Sequence, residues 1–307
     1  MINRLHVNIA GIELASPLVL ASGIMGLSAS SMERVAELGA GAVTAKSCGL
    51  EERKGHACPA ILPFGFGLLN AVGLANPGVD DMIEELRTFR LQSEVPVFAS
   101  IFGKTVDEFP EVAARIAEAM PSMIEVNVSC PNVASEFGRP FAADPELVGQ
   151  ITRKVRERVT DIPISIKLSL QCLSLAEVAK ACADNGADAI TAINSVGPGM
   201  IIDPNVRRPV LANRMGGLSG PAILPLAVRA VWEIAEAVSL PIIGTGGVET
   251  AEDVIQMVLA GATAVGVGTA VYTRGLAAFS SINSDLHVFM QERGINSLSD
   301  LKGAAHV

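Results

Sequence analysis

Apolar positions along the chain follow two alternating periods. Short aliphatic runs, typical of buried strands, are each followed by a stretch with apolar residues three and four positions apart, typical of amphipathic helices. The pair of patterns repeats along the whole sequence, although the sixth helix is reached only after a long connection. The predicted strands begin near Pro17, Ala42, Pro96, Met123, Pro163, Ala189, Pro241 and Ala264.

Eight such units without a break in composition favour an α/β fold, a closed (β/α)8 TIM barrel formed by residues 1–307 as one domain. A doubly wound open sheet is the alternative, because the number of units does not prove closure. A β-hairpin over Leu5–Leu14 is predicted before the first barrel strand. Capping patterns predict helix starts at Ser30, with Glu33 as its partner, and at Asp144 before Pro145.

Two connections are longer than a compact barrel needs. They run from Cys48 to Gly78 after the second strand and from Val196 to Gly220 after the sixth. Both follow the carboxyl ends of strands, where barrels carry their active sites. Since loops of this length usually form lids or binding segments, we expect them to extend over the C-terminal face.

Composition excludes several classes of function. The net charge is -9 and no Lys/Arg cluster is long enough to form a track for a polyanion, which argues against binding to nucleic acid or to an anionic membrane. No apolar run approaches the ~20 residues that span a bilayer, and the N-terminus lacks the order of a secretory signal. Five cysteines without a CxxC pair indicate neither a disulfide framework nor a metal or iron–sulfur site. The expected location is the cytoplasm.

The stretch from Glu125 to Asn132 is the most informative in the sequence. Alternation places Glu125 and Asn127 on one face of a strand, opposite an aliphatic face. Cys130 leaves the strand just before Pro131, which prevents the strand from continuing. A thiol beside polar groups at a strand end is a candidate base or nucleophile. A buried structural cysteine is the alternative.

Two lysines end strands on the same side of the predicted barrel. Lys46 follows the second strand and Lys167 ends the fifth. Because a barrel interior holds little water, an inward lysine needs an anionic or electron-rich partner. An internal carboxylate such as Glu125 could pair with either lysine alone. Two lysines, with Asn127 and Cys130 between them in the chain, favour a bound ligand.

Glycine clusters end the last two strands, at 244–247 and 266–268. Backbone amides after strands seven and eight of a barrel commonly form a phosphate site, although glycine also serves ordinary turns. No GxGxxG follows the first strand, so a dinucleotide-binding half is not indicated. The amides of Asn70, Asn127 and Asn194 suit a planar ligand with alternating donors and acceptors.

Together these motifs resemble the dihydroorotate dehydrogenases, in the family's order and over essentially the whole chain. The matching stretches are Lys46-Ser47, Asn70–Leu74, Asn127–Asn132, Asn194-Ser195, Gly217–Ala222 and the two glycine clusters. The resemblance implies an FMN barrel that oxidises dihydroorotate to orotate in pyrimidine biosynthesis.

Details of the resemblance point to one class. Cys130, where other members have serine, is similar to the soluble class 1 enzymes, and Leu69–Gly78 with Arg208–Asn213 looks closest to the class 1B catalytic subunit. That subunit works beside an electron-transfer partner that carries FAD and an iron–sulfur cluster and reduces NAD. Because this chain lacks the cysteine spacing for a cluster, another chain would supply the relay. The family's habit also implies a homodimer.

The resemblance assigns roles to individual residues. Cys130 would take the C5 proton of dihydroorotate while hydride passes from C6 to flavin N5. Lys167 would stabilise negative charge near N1 of the reduced flavin. The implied substrate-binding residues are Lys46, Asn70, Ala71, Val72, Gly73, Leu74, Asn127, Asn194 and Ser195. The implied flavin-binding residues are Ser22, Lys46, Ser47, Ser100, Asn127, Lys167, Ile193, Gly220, Gly246, Gly247, Gly268 and Thr269.

Some positions depart from the family pattern. Ser100 stands where an asparagine is common, and Pro59-Ala60 stands where a Pro-Arg pair is usual. These changes bear on the first long connection, on the partner surface and on the substrate. The alternatives are an FMN enzyme for another dihydropyrimidine, a non-catalytic barrel subunit and a flavin-free phosphate-binding barrel. Retention of Lys46 and Asn70–Leu74 favours dihydroorotate.

Overall fold

A computed structural model describes residues 4–128 and 141–306. The described strands are β1 (Val7–Ile9), β2 (Ile12–Leu14), β3 (Leu18–Leu20), β4 (Ala42–Thr44), β5 (Ile61–Phe64), β6 (Gly67–Asn70), β7 (Val97–Ile101), β8 (Met123–Asn127), β9 (Ile164–Leu168), β10 (Ala189–Ala192), β11 (Val196–Gly199), β12 (Ile202–Asp203), β13 (Arg208–Pro209), β14 (Gly216–Ser219), β15 (Ile242–Thr245) and β16 (Ala264–Val267). The described α-helices are α1 (Ala29–Glu37), α2 (Val79–Gln92), α3 (Glu108–Ile116), α4 (Pro145–Arg158), α5 (Leu175–Asp184), α6 (Leu224–Ala237), α7 (Ala251–Leu259), α8 (Ala270–Arg274) and α9 (Ala278–Glu292).

Eight of these strands close into a barrel in the order β3, β4, β7, β8, β9, β10, β15, β16. The ring is completed by parallel pairing of β16 with β3, with Val265 opposite Leu18 and Val267 opposite Leu20. Each barrel strand begins within one residue of its predicted start. The predicted TIM barrel is therefore confirmed, and the open sheet was the wrong alternative.

Prolines mark the entry to half of the barrel strands. Pro17, Pro96, Pro163 and Pro241 each precede a strand, where the missing N–H breaks no ladder bond. Their carbonyls still take part in the sheet: Pro17 accepts from the N–H of Val265 at 2.8 Å, and the other three accept at 2.9–3.0 Å from neighbouring strands. These prolines thus start strands without leaving a gap in the ring.

The predicted local features are largely confirmed. β1 and β2 pair as a hairpin whose turn residues Ala10 and Gly11 have φ of 50° and 83°, the positive angles that a two-residue turn of this kind requires. Asp144 caps α4 and accepts from the N–H of Glu146 at 2.9 Å.

The prediction for the first helix start was wrong. α1 begins after Ser28, whose hydroxyl and that of Ser31 form the reciprocal capping pair. A serine at the third helical position therefore replaces the expected acidic partner, because its short side chain reaches the N–H of Ser28 at 3.2 Å.

The two faces of the barrel strands differ in chemistry. Outward side chains pack with the helices in a continuous apolar core that includes Phe89, Phe98, Phe109 and Phe279. Inward positions carry buried polar side chains, namely Ser100, Glu125, Asn127, Ser165, Lys167 and Thr191. Since buried polar groups must be hydrogen-bonded to be tolerated, this lumen needs a specific network of partners.

The two long connections pair with each other. β5 and β6 come from the first and β11 and β14 from the second, and they form one antiparallel sheet in the order β11, β14, β6, β5. In its central pair Leu218 lies opposite Leu69. A small apolar cluster of Leu69, Ala71 and Leu211 is buried against this sheet. We call β5, β6, β11 and β14 the lid sheet.

Gly67 controls the contact between the two connections. Its φ is 154°, and a Cβ at this position would lie 2.0 Å from the carbonyl oxygen of Ser219. We expect Gly67→Ala to separate β6 from β14 and to lower the free energy of unfolding by about 1–3 kcal/mol, as for other overpacked sites. Thermal unfolding and hydrogen exchange of the Leu68–Asn70 amides would measure this. Gly65→Ala is the matched control, because a Cβ there meets nothing within 4 Å. Equal stability of the two variants would contradict the assignment.

Candidate functional site

A cavity opens at the carboxyl ends of the barrel strands, and the empty space in it and in the solvent at its open mouth is together about 1180 Å³. The lid sheet forms one side, through residues such as Ile61, Leu68 and Ser219. The predicted site residues that line the cavity are Ser22, Lys46, Ser47, Asn70, Val72, Gly73, Leu74, Asn127, Lys167, Ile193, Asn194, Ser195, Gly220, Gly246, Gly247, Gly268 and Thr269. Cys130 lies outside the described residues. Ala71 and Ser100 are not among the lining residues.

Lys167 is a buried cation in the wall of the cavity. Its ammonium lies 3.3 Å from Oε1 of Glu125, and the two side chains are 7% and 5% exposed. The alternative interpretation of this lysine, a pair with the internal carboxylate of Glu125, is therefore confirmed, and Lys167 also lines the cavity where a ligand could reach it.

Lys46 lies beside a glycine with a positive φ. Its backbone N–H donates to the carbonyl of Gly26 at 2.8 Å, which fixes the end of β4. Gly23 has a φ of 97°, and a Cβ on it would lie 3.7 Å from the Lys46 ammonium. A Cβ there would be in ordinary contact with this ammonium, so the positive φ, and not lack of space, is what favours glycine beside Lys46.

A hydrogen-bonded set of side chains joins the barrel lumen to the cavity. Ser100 lies behind Ser47, with the two hydroxyls 2.8 Å apart. Ser47 in turn contacts the hydroxyl of Ser22 at 3.2 Å and the amide of Asn127 at 3.4 Å. Ser100 therefore acts on the cavity through its neighbours, and this explains its position outside the lining.

The segment Asn70–Leu74 is held on both sides by polar contacts. Arg53 donates to the carbonyl of Gly73 at 2.6 Å, and Nδ1 of His56 lies 3.1 Å from the carbonyl of Ala71. Asn76 donates to the carbonyl of Leu74 at 2.8 Å. Ala71 is fully buried and fixes the backbone from behind, while its neighbours Asn70, Val72, Gly73 and Leu74 face the cavity.

Backbone and hydroxyl groups cluster at the ends of β15 and β16. Gly246 and Gly247 have φ of 132° and 81°, and a Cβ on Gly247 would lie 2.7 Å from the backbone nitrogen of Leu224. Thr269 donates to the hydroxyl of Ser219 at 2.9 Å. Glycine is thus required where the chain turns into the cavity, and it leaves the backbone accessible to an anion.

Comparison with known proteins identifies the family. The sequence profile described as dihydroorotate dehydrogenase matches residues 4–290. This chain belongs to the dihydroorotate dehydrogenase family. The resemblance inferred from the sequence motifs is confirmed.

Relatives of this dihydroorotate dehydrogenase family member cover its full length. The catalytic subunit of dihydroorotate dehydrogenase B (NAD(+)) from Methanothermobacter thermautotrophicus is 42% identical over 306 residues, which is 100% of each chain. The subunit of the same name from Anoxybacillus flavithermus is 41% identical over 303 residues, 98% of this chain and 96% of its own. The crystal structure of DHODH from Eimeria tenella in complex with ferulenol superposes with a TM-score of 0.86 at 20% identity, covering 99% of this chain and 89% of that one. At that identity the likeness shows the shared barrel fold.

The donor set of this dihydroorotate dehydrogenase site has two distinct ends. Ammonium and amide groups of Lys46, Lys167, Asn127 and Asn194 line one part, and glycine backbone with the Thr269 hydroxyl lines another. The first suits an electron-rich ring system and a carboxylate, and the second suits a phosphate. No helix in the described ranges is long and apolar enough to cross a membrane.

Sequence reasoning missed several lining residues. Ala21, Gly23 and Ile24 follow the first barrel strand, and Thr245 precedes the seventh-strand glycines. The sequence signal for Thr245 was its place within the glycine cluster at 244–247. In the structure a Cβ on Gly266, its neighbour in the ladder, would lie 2.1 Å from its Oγ1, so a glycine is needed there. Ile61, Leu68 and Ser219 carried no signal, since they reach the cavity through the pairing of the two long connections.

The described cysteines differ sharply in their environment. Cys48 and Cys182 are buried, and burial raises the pKa of each thiol to about 12. Cys58 is exposed. Since the thiolate is the reactive form, we expect iodoacetamide at pH 8 to modify Cys58 in the folded protein and to spare Cys48 and Cys182 until denaturant is added. Peptide mass mapping would give each rate, and labelling of Cys48 as fast as that of Cys58 would contradict the buried assignment.

Proposed function

We propose that this protein is the catalytic subunit of a class 1B dihydroorotate dehydrogenase that oxidises dihydroorotate to orotate in pyrimidine biosynthesis. The observation that carries the proposal is the single cavity that Lys46, Lys167, Asn70, Asn127 and Asn194 all line. Full-length relatives described as dihydroorotate dehydrogenase B (NAD(+)) catalytic subunits support it. The whole chain would act as one catalytic domain.

The proposed cofactor is FMN, since the cavity fits both of its ends. Glycine backbone at Gly246, Gly247 and Gly268, with the Thr269 hydroxyl, would hold the phosphate. Ser22, Ser47, Ile193 and Gly220 would line the ring system, which Lys167 would approach with its positive charge. Bound flavin would supply the two-electron acceptor.

The remaining lining groups suit the substrate. Lys46 would bind the carboxylate of dihydroorotate, because its ammonium lines the same cavity as Asn70 and Leu74 of the first long connection. Asn70, Asn127, Asn194 and Ser195 offer the donors and acceptors that a pyrimidine ring requires. The backbone of Ala71, Val72, Gly73 and Leu74 would shape the same pocket. Cys130 would take the C5 proton as general base.

A partner chain is part of the proposal. Among the described residues no group of three His, Cys, Asp or Glu side chains could hold a metal ion, and the relatives are named as catalytic subunits of an NAD(+) enzyme. An electron-transfer subunit with FAD and an iron–sulfur cluster would therefore carry electrons from this protein to NAD. We further propose that the catalytic subunit is a homodimer in the cytoplasm.

The visible spectrum of the purified protein tests this function first. We expect a flavin spectrum that bleaches on anaerobic addition of dihydroorotate and stays unchanged with dihydrouracil, which lacks the carboxylate for Lys46. Bleaching by dihydrouracil alone would move the substrate to another dihydropyrimidine. A colourless protein that cannot be reconstituted with FMN would contradict the cofactor assignment and support a non-catalytic or flavin-free barrel.

The proposed base has a direct test. Cys130→Ala should keep its bound flavin, because the residues assigned to the flavin are unchanged, but should reduce it at least about 100-fold more slowly, the usual contribution of general base catalysis. Stopped-flow measurement of flavin bleaching with dihydroorotate gives the rate. Cys58→Ala is the matched control, since this thiol is exposed. Equal reduction rates in the two variants would refute the role given to Cys130.

A further inference from the structure

A chain of hydrogen bonds in the barrel runs in one direction. The N–H of Ser195 donates to Oδ1 of Asn194 at 2.8 Å, and Nδ2 of Asn194 donates to Oδ1 of Asn127 at 3.2 Å. Nδ2 of Asn127 then donates to the Ser47 hydroxyl at 3.4 Å. Both asparagines thus point their amide nitrogens along the hydrogen bonds toward Ser47 and their amide oxygens toward Ser195.

The chain ends at Glu125. Ser100 donates to Oε1 of Glu125 at 3.0 Å, and a hydroxyl has only one proton to donate. The contact of 2.8 Å between Ser100 and Ser47 must therefore use the proton of Ser47. The Ser195 N–H can only donate, so it orients the two asparagine amides from one end, and the carboxylate can only accept, so it directs the Ser100 and Ser47 hydroxyls from the other end.

The same oxygen balances a buried positive charge. Oε1 of Glu125 accepts from the Lys167 ammonium at 3.3 Å, and Glu125 is only 4% exposed. Unlike Lys167, Glu125 does not line the cavity. It therefore acts on a bound molecule only through Lys167 and through the Ser100 and Ser47 hydroxyls.

We propose that Glu125 is a positioning residue that balances the charge of Lys167 beside the cofactor and directs the Ser100 and Ser47 hydroxyls so that Ser47 accepts from Asn127 on the substrate side. The proposal rests on the proposed function, since it takes the bound molecules to be FMN and a pyrimidine carboxylate. Neither the family motifs nor the cavity lining assigns a role to this carboxylate.

Glu125→Gln tests both effects in the FMN-loaded protein. Its carboxamide presents a donor as well as an acceptor to Ser100 and Lys167, so the directions of the Ser100 and Ser47 hydroxyls are no longer fixed. We expect orotate, titrated through its perturbation of the flavin spectrum, to bind about tenfold more weakly, the ratio for one lost charge-assisted hydrogen bond. The flavin midpoint potential should shift to more positive values, because an unbalanced Lys167 favours the more negative, reduced flavin.

Two controls separate this role from general damage to the lumen. Ser165→Ala removes a buried hydroxyl opposite Glu125 in the ladder, where it contacts Thr191 at 2.9 Å outside the chain. It should leave orotate affinity and potential unchanged; losses equal to those of Glu125→Gln would overturn the proposal. Glu125→Asp keeps the charge and should keep the potential, so a shift as large as that of Glu125→Gln would overturn the charge-balancing role.

Ser100→Ala keeps the test decisive if Glu125→Gln does not fold. It cuts the chain next to the carboxylate and leaves the ion pair, so orotate should bind more weakly while the potential stays the same. Unchanged orotate affinity in this variant, or in folded Glu125→Gln, would overturn the proposal while the proposed function stands. A wild-type protein that binds neither FMN nor orotate would instead contradict the proposed function itself.

Discussion

Closure of the parallel barrel is the constraint on which the site depends. Pairing of β16 with β3 joins the first and last strands, so all eight carboxyl ends lie on one rim. Residues as far apart in sequence as Lys46, Asn194 and Gly268 thereby come to line one cavity. No local stretch of the chain could bring these groups together, because each strand contributes only one or two of them.

The barrel interior is costly to build in a polar form. The free energy lost when Lys167 and Glu125 leave water for a buried position is offset only when their charges are paired and their hydrogen-bonding groups have partners. The direct pair, with Ser100 as a further donor to the carboxylate, meets that demand. An aliphatic pair of equal volume would pack in this lumen without such partners. Retention of the ions in the wall of a cavity thus fits a role toward a ligand better than a role in stability.

Sequence patterns predicted the barrel well because its signals are local and repeated. Prolines before strands and alternating aliphatic runs each act within a few residues, so the strand starts agree to within one residue. The polar face of β8 and the two lysines likewise followed from alternation. The position of Ser100 and Ala71 behind the cavity lining did not follow from the sequence. Whether a residue lines the cavity or lies behind the lining depends on neighbours from other strands. The lid sheet was missed for the same reason, since its central pair joins Leu69 to Leu218 across distant segments.

The lid sheet and the barrel differ in local stability. Its described apolar cluster is centred on only three buried residues, Leu69, Ala71 and Leu211, whereas the main core extends around the whole ring. Segments with few buried apolar contacts open at lower free energy than the core. Asn70 and its neighbours can therefore separate from the cavity while Lys167, Asn127 and Asn194 stay fixed on barrel strands or directly after them. The proposed substrate contacts at Asn70–Leu74 are thus on a part of the fold that opens more easily than the barrel, whereas those of Asn127 and Asn194 are on the barrel itself.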